Sequence, residues 1–240
     1  MNEFDHKETD LYNRWLESYP KEQRDLFCFD GLIYYRNPDC KEEYAEVVKW
    51  EHAKRKIVFL LKDTNANPDC DYREWEFYDT ESQRLHKCFV VLMKWLWSLN
   101  EVTATHFPEL NTSREENIER AMNYPMAIVN VKKIAGGSYV SNTAVREYYE
   151  RDKAFLKEQL RDILKPTIIV CGGGSGILLS IAKDIYNDMA FVKYNDWCYF
   201  CGKNNLLIID SYHPSYRCSD ELKFNRMIEN VQDMLKKIPL

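Results

Sequence analysis

Three polar side chains of different chemistry, Asp63, Asn130 and His213, each stand at or near the end of a short apolar run. A carboxylate can orient water or stabilise a developing positive charge, and an amide offers both a donor and an acceptor to a planar ligand. A neutral imidazole can donate a hydrogen bond to an oxygen that gains negative charge during a reaction. If they meet at one place, the three side chains supply complementary chemistry to one bound ligand.

The elements that must position these side chains are predicted parallel strands. Four apolar runs separated by helical patterns are typical of a parallel sheet with helices on both faces: Ile57–Leu61, Met126–Val131, Thr167–Cys171 and Leu206–Ile209. Right-handed crossovers bring all four carboxyl ends to one rim, where such sheets bind ligands. The sequence therefore predicts a three-layer α/β/α sandwich with a four-stranded parallel central sheet.

Apolar periodicity, N-capping residues and proline predict where the helices lie. Helices are expected over 8–27 and 41–54, over a segment that ends near Asn100, and over 142–165, where Pro166 stops the last of these. Ser113 and Ser219 precede helical patterns in positions typical of N-caps. We expect one domain over residues 1–240, with an N-terminal helical part (1–55) and a parallel-sheet core (56–240).

Composition limits the class of protein. The chain has 240 residues, 45% of them hydrophobic and 30% charged, and a formal charge of −5, which argues against a large basic surface for nucleic acid. No apolar run reaches transmembrane length, and the first ten residues are too polar for a signal peptide, so no membrane partner and a cytoplasmic location are expected. Cys198 and Cys201 have metal-ligand spacing, but the flanking pattern predicts a β-hairpin; neither a metal nor another cofactor is expected.

Taken in order, the four strand ends resemble the uracil-DNA glycosylase superfamily. IVFLLKDTNA places Asp63 at the position of that family's catalytic aspartate, IVNV places Asn130 at its uracil-reading asparagine, and SYHPS places His213 at its catalytic histidine. IIVCGG corresponds to the third strand and its glycine. Trp75 and Phe77 follow Asp63 at about the distance of the family's base-stacking phenylalanine. The resemblance covers the chain from about Ile57 onward, and only His-Pro-Ser is a distinctive motif.

The sequence departs from the best-known branch of that family at three places. Leu61 and Lys62 replace its glycine and the usual neighbour, and Asn65 replaces the tyrosine that excludes thymine. Tyr216 and Arg217 follow His-Pro-Ser where that branch inserts a leucine into the duplex. The resemblance therefore implies base binding by Asn130, Phe77, Trp75 and Asn65 without strict selectivity for uracil, and stacking or wedging by Tyr216 or Arg217.

Contacts with a nucleic-acid backbone are expected from residues around the same rim. They are Gly172, Gly173, Ser175, Ser215, Tyr216, Arg217, Lys132 and Lys133. The Gly172–Gly176 segment, GGGSG, matches no complete phosphate-binding motif, so it is interpreted either as a phosphate cradle or as a tight turn between strand and helix.

The function that the resemblance implies is hydrolysis of the N-glycosidic bond of a damaged or deaminated base flipped out of DNA. His213 would stabilise the departing base, and Asp63 would position water and stabilise the sugar cation. The alternatives are a non-catalytic nucleic-acid- or nucleotide-binding protein of the same fold, and a small-nucleotide hydrolase that uses the GGGSG loop. DNA or another nucleic acid is the expected partner, and the sequence indicates no protein partner.

Overall fold

The computed structural model describes residues 3–34, 45–64, 71–74, 87–110, 113–137 and 139–238. Within them the chain forms an α/β fold around one mixed sheet of seven strands. In chain order the strands are β1 (Gly31–Leu32), β2 (Ile57–Asp63), β3 (Met126–Lys132), β4 (Ile168–Gly172), β5 (Val192–Lys193), β6 (Cys198–Cys201) and β7 (Leu206–Ser211).

The strand order across the sheet is β1-β3-β2-β4-β7-β6-β5. The four central strands β3, β2, β4 and β7 are parallel, and they are the four strands predicted from the sequence. The prediction of a four-stranded parallel sheet is nevertheless wrong, because antiparallel strands extend both edges. Two of these edge strands contain only two residues each, too few to produce a recognisable alternation of apolar and polar residues.

The central strands are apolar on both faces because helices cover both sides of the sheet. Phe59 and Val170 face one core together with the side chains of α4 and α8. Val58 and Ile169 face the other core, which α1, α6 and α7 cover. Residues that alternate along each strand therefore enter different cores.

Eight α-helices lie among the described residues, and two of them, α1 and α2, overlap one helix predicted from the sequence. They are α1 (Glu3–Glu17), α2 (Lys21–Arg24), α3 (Ala45–His52), α4 (Lys87–Glu101), α5 (Arg114–Ala121), α6 (Asn142–Lys157), α7 (Ile177–Ile185) and α8 (Asp220–Lys237), with short 3-10 turns at Tyr72–Glu74 and Gly202–Asn204. The helix predicted over 8–27 is two helices, α1 and α2, separated by Pro20. The segment Glu158–Leu164 continues α6 as a π-helix and ends at Lys165, whose φ of 48° is left-handed. Among these described helices, none is long and apolar enough to cross a membrane.

The N-terminal part of the chain belongs to the sheet as well as to a helical layer. Gly31 and Leu32 pair antiparallel with Ile128 and Ala127 of β3, which makes β1 one edge of the sheet. Gly31 has a φ of 137°, and a Cβ at this position would lie 2.5 Å from a carboxylate oxygen of Glu8. A glycine is therefore required for α1 to approach the edge of the sheet this closely.

The order of the parallel strands creates a topological switch point between β2 and β4. From β2 the chain crosses to β3 on one side, whereas from β4 it continues to β7 on the other side. Connections that leave two neighbouring strands in opposite directions open a crevice at their carboxyl ends. This crevice is where the candidate site lies.

Candidate active site

The carboxyl ends of the four central strands form the rim of the candidate site. Asp63, the last residue of β2, is in register with Lys132 at the end of β3. Gly172, the last residue of β4, is in register with Ser211 at the end of β7. His213 follows two residues later, so the rim carries a carboxylate on one side of β4 and an imidazole on the other.

Gly172 lets the two sides of the rim approach each other. A Cβ at this position would lie 2.7 Å from Leu61 Cδ2 and 3.2 Å from Pro214 Cδ. The end of β2 and the His-Pro turn therefore close around the space that a side chain would fill. Neighbouring strands are about 4.8 Å apart, so the backbone positions of β2 and β7, with β4 between them, are separated by roughly 10 Å.

Asp63 is a partly buried carboxylate with a cation beside it. Burial raises the pKa of its carboxyl group, and the nearby charges of Lys132 and Lys62 oppose that rise. The Lys132 Nζ lies 3.6 Å from Asp63 Oδ2 and donates a hydrogen bond of 2.7 Å to the carbonyl of Ile134. The charge of Lys132 favours the Asp63 anion, whereas burial, the larger of the two effects, favours the neutral carboxyl group.

His213 is held in one tautomer by its own turn. The backbone N–H of Ser215 donates to His213 Nδ1 at 3.1 Å, so Nδ1 carries a lone pair and the proton of the neutral ring is on Nε2. Burial, followed by the positive charges of Lys62 and Lys223, lowers the pKa of the imidazole. Both effects favour a neutral ring with one hydrogen-bond donor, Nε2–H.

The turn that carries His213 is anchored by a buried lysine of α8. Lys223 is fully buried, and its Nζ donates a hydrogen bond of 3.0 Å to the carbonyl of Pro214. It also lies 3.5 Å from a carboxylate oxygen of Asp220. Lys223 thus fixes the backbone next to the imidazole and adds a positive charge to the site.

Asn130 lies two residues below the rim, level with Leu61 of β2. Its backbone N–H and its side-chain Nδ2 both donate to Asp30 Oδ2, at 2.7 and 3.1 Å. Its Oδ1 is buried and has no hydrogen-bond partner. The sequence predicted that this amide offers a donor and an acceptor; in the structure the donor group already bonds to the protein, and the acceptor is unused.

Two further buried oxygens near the rim also lack partners. These are the hydroxyls of Thr64, directly after β2, and of Ser211, at the end of β7. A buried polar group without a partner costs about 1–3 kcal/mol, so such groups are rare unless a ligand or water satisfies them. Together with Asn130 Oδ1, they are unused hydrogen-bonding groups at and just below one rim.

The structure overturns the predicted role of Lys133 and changes that of Lys132. Lys133 is fully buried, and its Nζ bonds to Asp30 Oδ1 at 2.5 Å and to Gln159 Oε1 at 3.2 Å, so it cannot contact a nucleic-acid phosphate. Lys132 is also mostly buried, and it pairs with Asp63. Both residues follow the apolar run Met126–Val131, which suggested exposure at the rim. The edge formed by residues 26–32 pairs with the chain at Lys133, and Asp63 and the ring of Tyr148 lie against the Lys132 Nζ.

The GGGSG loop fits a tight turn better than a phosphate cradle. Gly174 and Gly176 have φ values of 63° and 69°. The N–H of Gly173 donates to the carbonyl of Cys171, and that of Gly174 donates to the carbonyl of Ser211, both at 3.0 Å. Two of the N–H groups that a phosphate would need are therefore already bonded. The Ser175 hydroxyl is exposed and lies 3.4 Å from Asn142 Oδ1.

The predicted backbone-contacting residues after His213 are exposed beside the site. Ser215, Tyr216 and Arg217 are all on the surface. The ring of Tyr216 is 53% exposed and stacks on Tyr212, with ring centres 5.0 Å apart and planes inclined by 8°. One face of Tyr216 is therefore packed against the protein. The predicted base-binding residues Asn65, Trp75 and Phe77 lie outside the described residues.

A groove of about 530 Å³ lies at the opposite rim, by the amino ends of the strands. Cationic residues line it, and two of them bond to the protein itself. The Lys49 Nζ pairs with Glu46 at 2.9 Å, and an Arg55 guanidinium nitrogen donates to the carbonyls of Leu99 and Val102. The carboxyl rim, with its unpaired buried oxygens, has the stronger case for a binding site.

Sequence reasoning missed Asp30, Gln159 and Lys223. Asp30 is a single charge within FCFDGLI, and Lys223 is a charge on the buried face of a helix. Each breaks an apolar pattern, and that break is the signal that could have identified them. Their partners lie far away in the chain, so a break in the apolar pattern identifies these residues but not the residues that they contact.

Within the described part of the chain, no three His, Cys, Asp or Glu side chains are grouped to hold a metal ion. The Cys198–Cys201 segment is strand β6 of the expected hairpin with β7. No protein-family model matches the sequence, and no curated protein matches it.

Proposed function

We propose that this chain has a uracil-DNA glycosylase-like fold and hydrolyses the N-glycosidic bond of a damaged or deaminated base flipped out of DNA. One observation carries the proposal: the partly buried carboxylate of Asp63 and the imidazole of His213, with its Nδ1 bonded to the N–H of Ser215, stand on either side of Gly172 at one rim. The resemblance of the four strand ends to that superfamily supports it, as does the parallel order of the strands that carry them.

The two side chains match the charges that develop when a glycosidic bond breaks. The bond between the sugar C1′ and the base nitrogen breaks, its electron pair leaves with the base, and the sugar becomes oxocarbenium-like. The Asp63 anion stabilises this positive charge and positions a water, whose oxygen then bonds to C1′. His213 Nε2–H donates a hydrogen bond to the base oxygen that becomes negative. The proton lost by the water reaches the released base through solvent.

Asn130 is the group in this site suited to recognising the base. Its buried, unpaired Oδ1 can accept a hydrogen bond from a ring N–H of the base. The Lys62 Nζ, which lies 3.0 Å from Asn142 Oδ1, and the exposed Arg217 supply positive charge on the side of β4 and β7. Tyr216 offers a ring already stacked on one face, on which an unpaired base can stack.

Base release from a panel of oligonucleotides that contain uracil, hypoxanthine, xanthine or mismatched bases tests the proposal. We expect His213→Ala to slow single-turnover release by about 10²–10³-fold, because the lost donor acts mainly in the transition state. Its affinity for DNA is expected to change little. Asn130→Ala is expected to reduce both rate and affinity, because it contacts the base before the bond breaks.

His106→Ala is the matched control, because His106 is exposed and its hydrogen bonds are made by its backbone: its carbonyl accepts the N–H of Thr103, and its N–H donates to Thr103 Oγ1. It is expected to keep the rate of the unaltered protein. If the unaltered protein binds these oligonucleotides but releases no base from any of them, the catalytic proposal is wrong and a binding protein remains.

A further inference from the structure

Asp30 contacts the candidate base-reading residue from outside the four strand-end motifs. It is fully buried, and its two carboxylate oxygens accept hydrogen bonds from different partners. Oδ2 accepts the backbone N–H and the Nδ2–H of Asn130. Oδ1 accepts Lys133 Nζ at 2.5 Å and Gln159 Nε2 at 3.2 Å.

These contacts determine which way the Asn130 amide points. An ionised carboxylate only accepts hydrogen bonds, so the Asn130 atom that faces it must be the NH₂ group. The Nζ of Lys133, itself fully buried, donates to Asp30 Oδ1 at 2.5 Å, so both oxygens of Asp30 already act as acceptors. The Asn130 amide therefore cannot turn over without placing its oxygen against a carboxylate oxygen, and Oδ1 faces away from Asp30.

The orientation of this amide has a consequence for the ligand. Oδ1 is a buried acceptor without a partner, so a ligand that reaches it must offer a hydrogen-bond donor. Deamination changes the pyrimidine or purine ring at the corresponding place. Cytosine and adenine have a bare ring nitrogen beside the amino group, whereas uracil and hypoxanthine have a ring N–H beside a carbonyl. A fixed acceptor distinguishes the two groups of bases.

We infer that Asp30, held by Lys133, is a positioning residue that sets base specificity by locking the Asn130 amide with its oxygen toward the ligand. The inference rests on the proposed function in that it takes the ligand of Asn130 to be a nucleobase. It assigns to the N-terminal part of the chain a role in selecting bases that carry a ring N–H.

The first test measures binding of free uracil, 3-methyluracil and cytosine through the fluorescence of the protein's tryptophans. We expect the unaltered protein to bind uracil roughly 10–100-fold more tightly than the other two, which lack the ring N–H at that place. Equal binding of the three, including no measurable binding of any of them, overturns the inference.

The second test repeats the comparison with Asp30→Asn. The new side chain has one acceptor oxygen, which the Lys133 ammonium attracts, so its NH₂ group faces Asn130 and favours the reversed amide. The preference for uracil over cytosine is expected to fall at least tenfold. Asp152→Asn is the matched control: Asp152 is also buried and paired with a cation, Arg151, but makes no contact with Asn130. An unchanged preference in Asp30→Asn, or an equal loss in Asp152→Asn, contradicts the inference.

A third measurement needs no variant and no ligand. In ¹⁵N-labelled unaltered protein, one side-chain amide proton of Asn130 is expected to exchange slowly with solvent, because it is bonded to Asp30. If both amide protons exchange at the rate of a free side chain, the lock does not exist. Because this measurement and the free-base titrations involve no bond cleavage, they test Asp30 even if the base-release panel fails.

Discussion

At the scale of single residues, Asp63 is subject to two opposing effects. Burial favours its neutral form, and the charge of Lys132 at 3.6 Å favours its anion. Because the proposed chemistry requires the anion, Lys132 has an electrostatic role inside the site in place of the predicted contact with DNA. Its ammonium group also lies 5.5 Å from the ring centre of Tyr148, which limits its access to solvent.

We predict that Lys132→Gln raises the pKa of Asp63. With the cation removed, only the weaker influence of Lys62 opposes burial, so the carboxyl group holds its proton to higher pH. Activity depends on the ionised form, and the acidic limb of the profile of kcat/KM against pH should therefore move to higher pH. An NMR titration of the Asp63 carboxyl carbon measures the same shift without catalysis.

Lys153→Gln is the control for charge removal, because Lys153 pairs with Glu150 on the exposed face of α6. It should leave both the acidic limb and the carboxyl titration in place. An acidic limb that stays in place or moves to lower pH in Lys132→Gln would show that Lys132 does not act on Asp63.

At the scale of elements, helix α8 supports the turn that carries His213. Its N-cap is Ser219, whose side chain accepts a hydrogen bond of 3.1 Å from the N–H of Leu222. Lys223, in the first turn of the helix, donates to the carbonyl of Pro214. The cap and the turn that carries His213 are therefore connected through one turn of helix.

Ser219→Ala is predicted to affect both stability and activity. Loss of an N-cap costs about 1 kcal/mol of the free energy of unfolding, which a denaturant titration measures. The first turn of α8 should fray, loosen the contact of Lys223 with Pro214 and slow base release by a few-fold.

Ser113→Ala removes the corresponding cap of α5, where Ser113 accepts from the N–H of Glu116 at 3.3 Å. A similar loss of stability is expected there, but no change in the release rate, because α5 packs on α4 away from the His-Pro turn. An equal loss of activity in both variants would mean that the rate follows general stability.

At the scale of the whole molecule, a buried polar network joins the N-terminal part to the sheet. Tyr12 bonds to the carbonyl of Asp30, and Gln159 bonds to both of these residues. Glu8 pairs with Arg73 at 3.0 Å, and Arg73 also lies over the ring of Tyr12. Helix α1, the edge of the sheet and the segment 71–74 are thus held together by charges inside the protein.

Glu8 should make the stability of the protein depend on pH. Burial raises the pKa of its carboxyl group from 4.5 to about 7, so the folded state binds more protons than the unfolded state between these two values. The free energy of unfolding should therefore fall as the pH rises through that window, by an amount on the order of 1–3 kcal/mol. Denaturant titrations at pH 5 and pH 8 measure the change.

Glu8→Gln cannot ionise, so its stability should fall less between the two pH values than that of the unaltered protein. Asp10→Asn on the same helix is the control, because Asp10 is exposed and pairs with Arg14. If Glu8→Gln and the unaltered protein lose equal stability, Glu8 does not titrate in this window.

The sequence alone determined the strands and helix ends that a short stretch of residues is enough to predict. The apolar runs of β2, β3, β4 and β7 were recognisable because both faces of these strands are buried, and the caps Ser113 and Ser219 because an N-cap bonds within its own first turn. Placing Asp63 and His213 at the ends of strands followed from the same local patterns and from the handedness of crossovers.

Only the tertiary structure decided the contacts between distant parts of the chain. The partner of Asn130 is 100 residues away, at Asp30, and Lys133 meets the same carboxylate from 103 residues away. A two-residue strand such as β1 has no periodicity of its own, so its place beside β3 depends on packing that local sequence does not encode. For that reason Lys133, which a local pattern places at the surface, is buried against a residue that no nearby motif indicates.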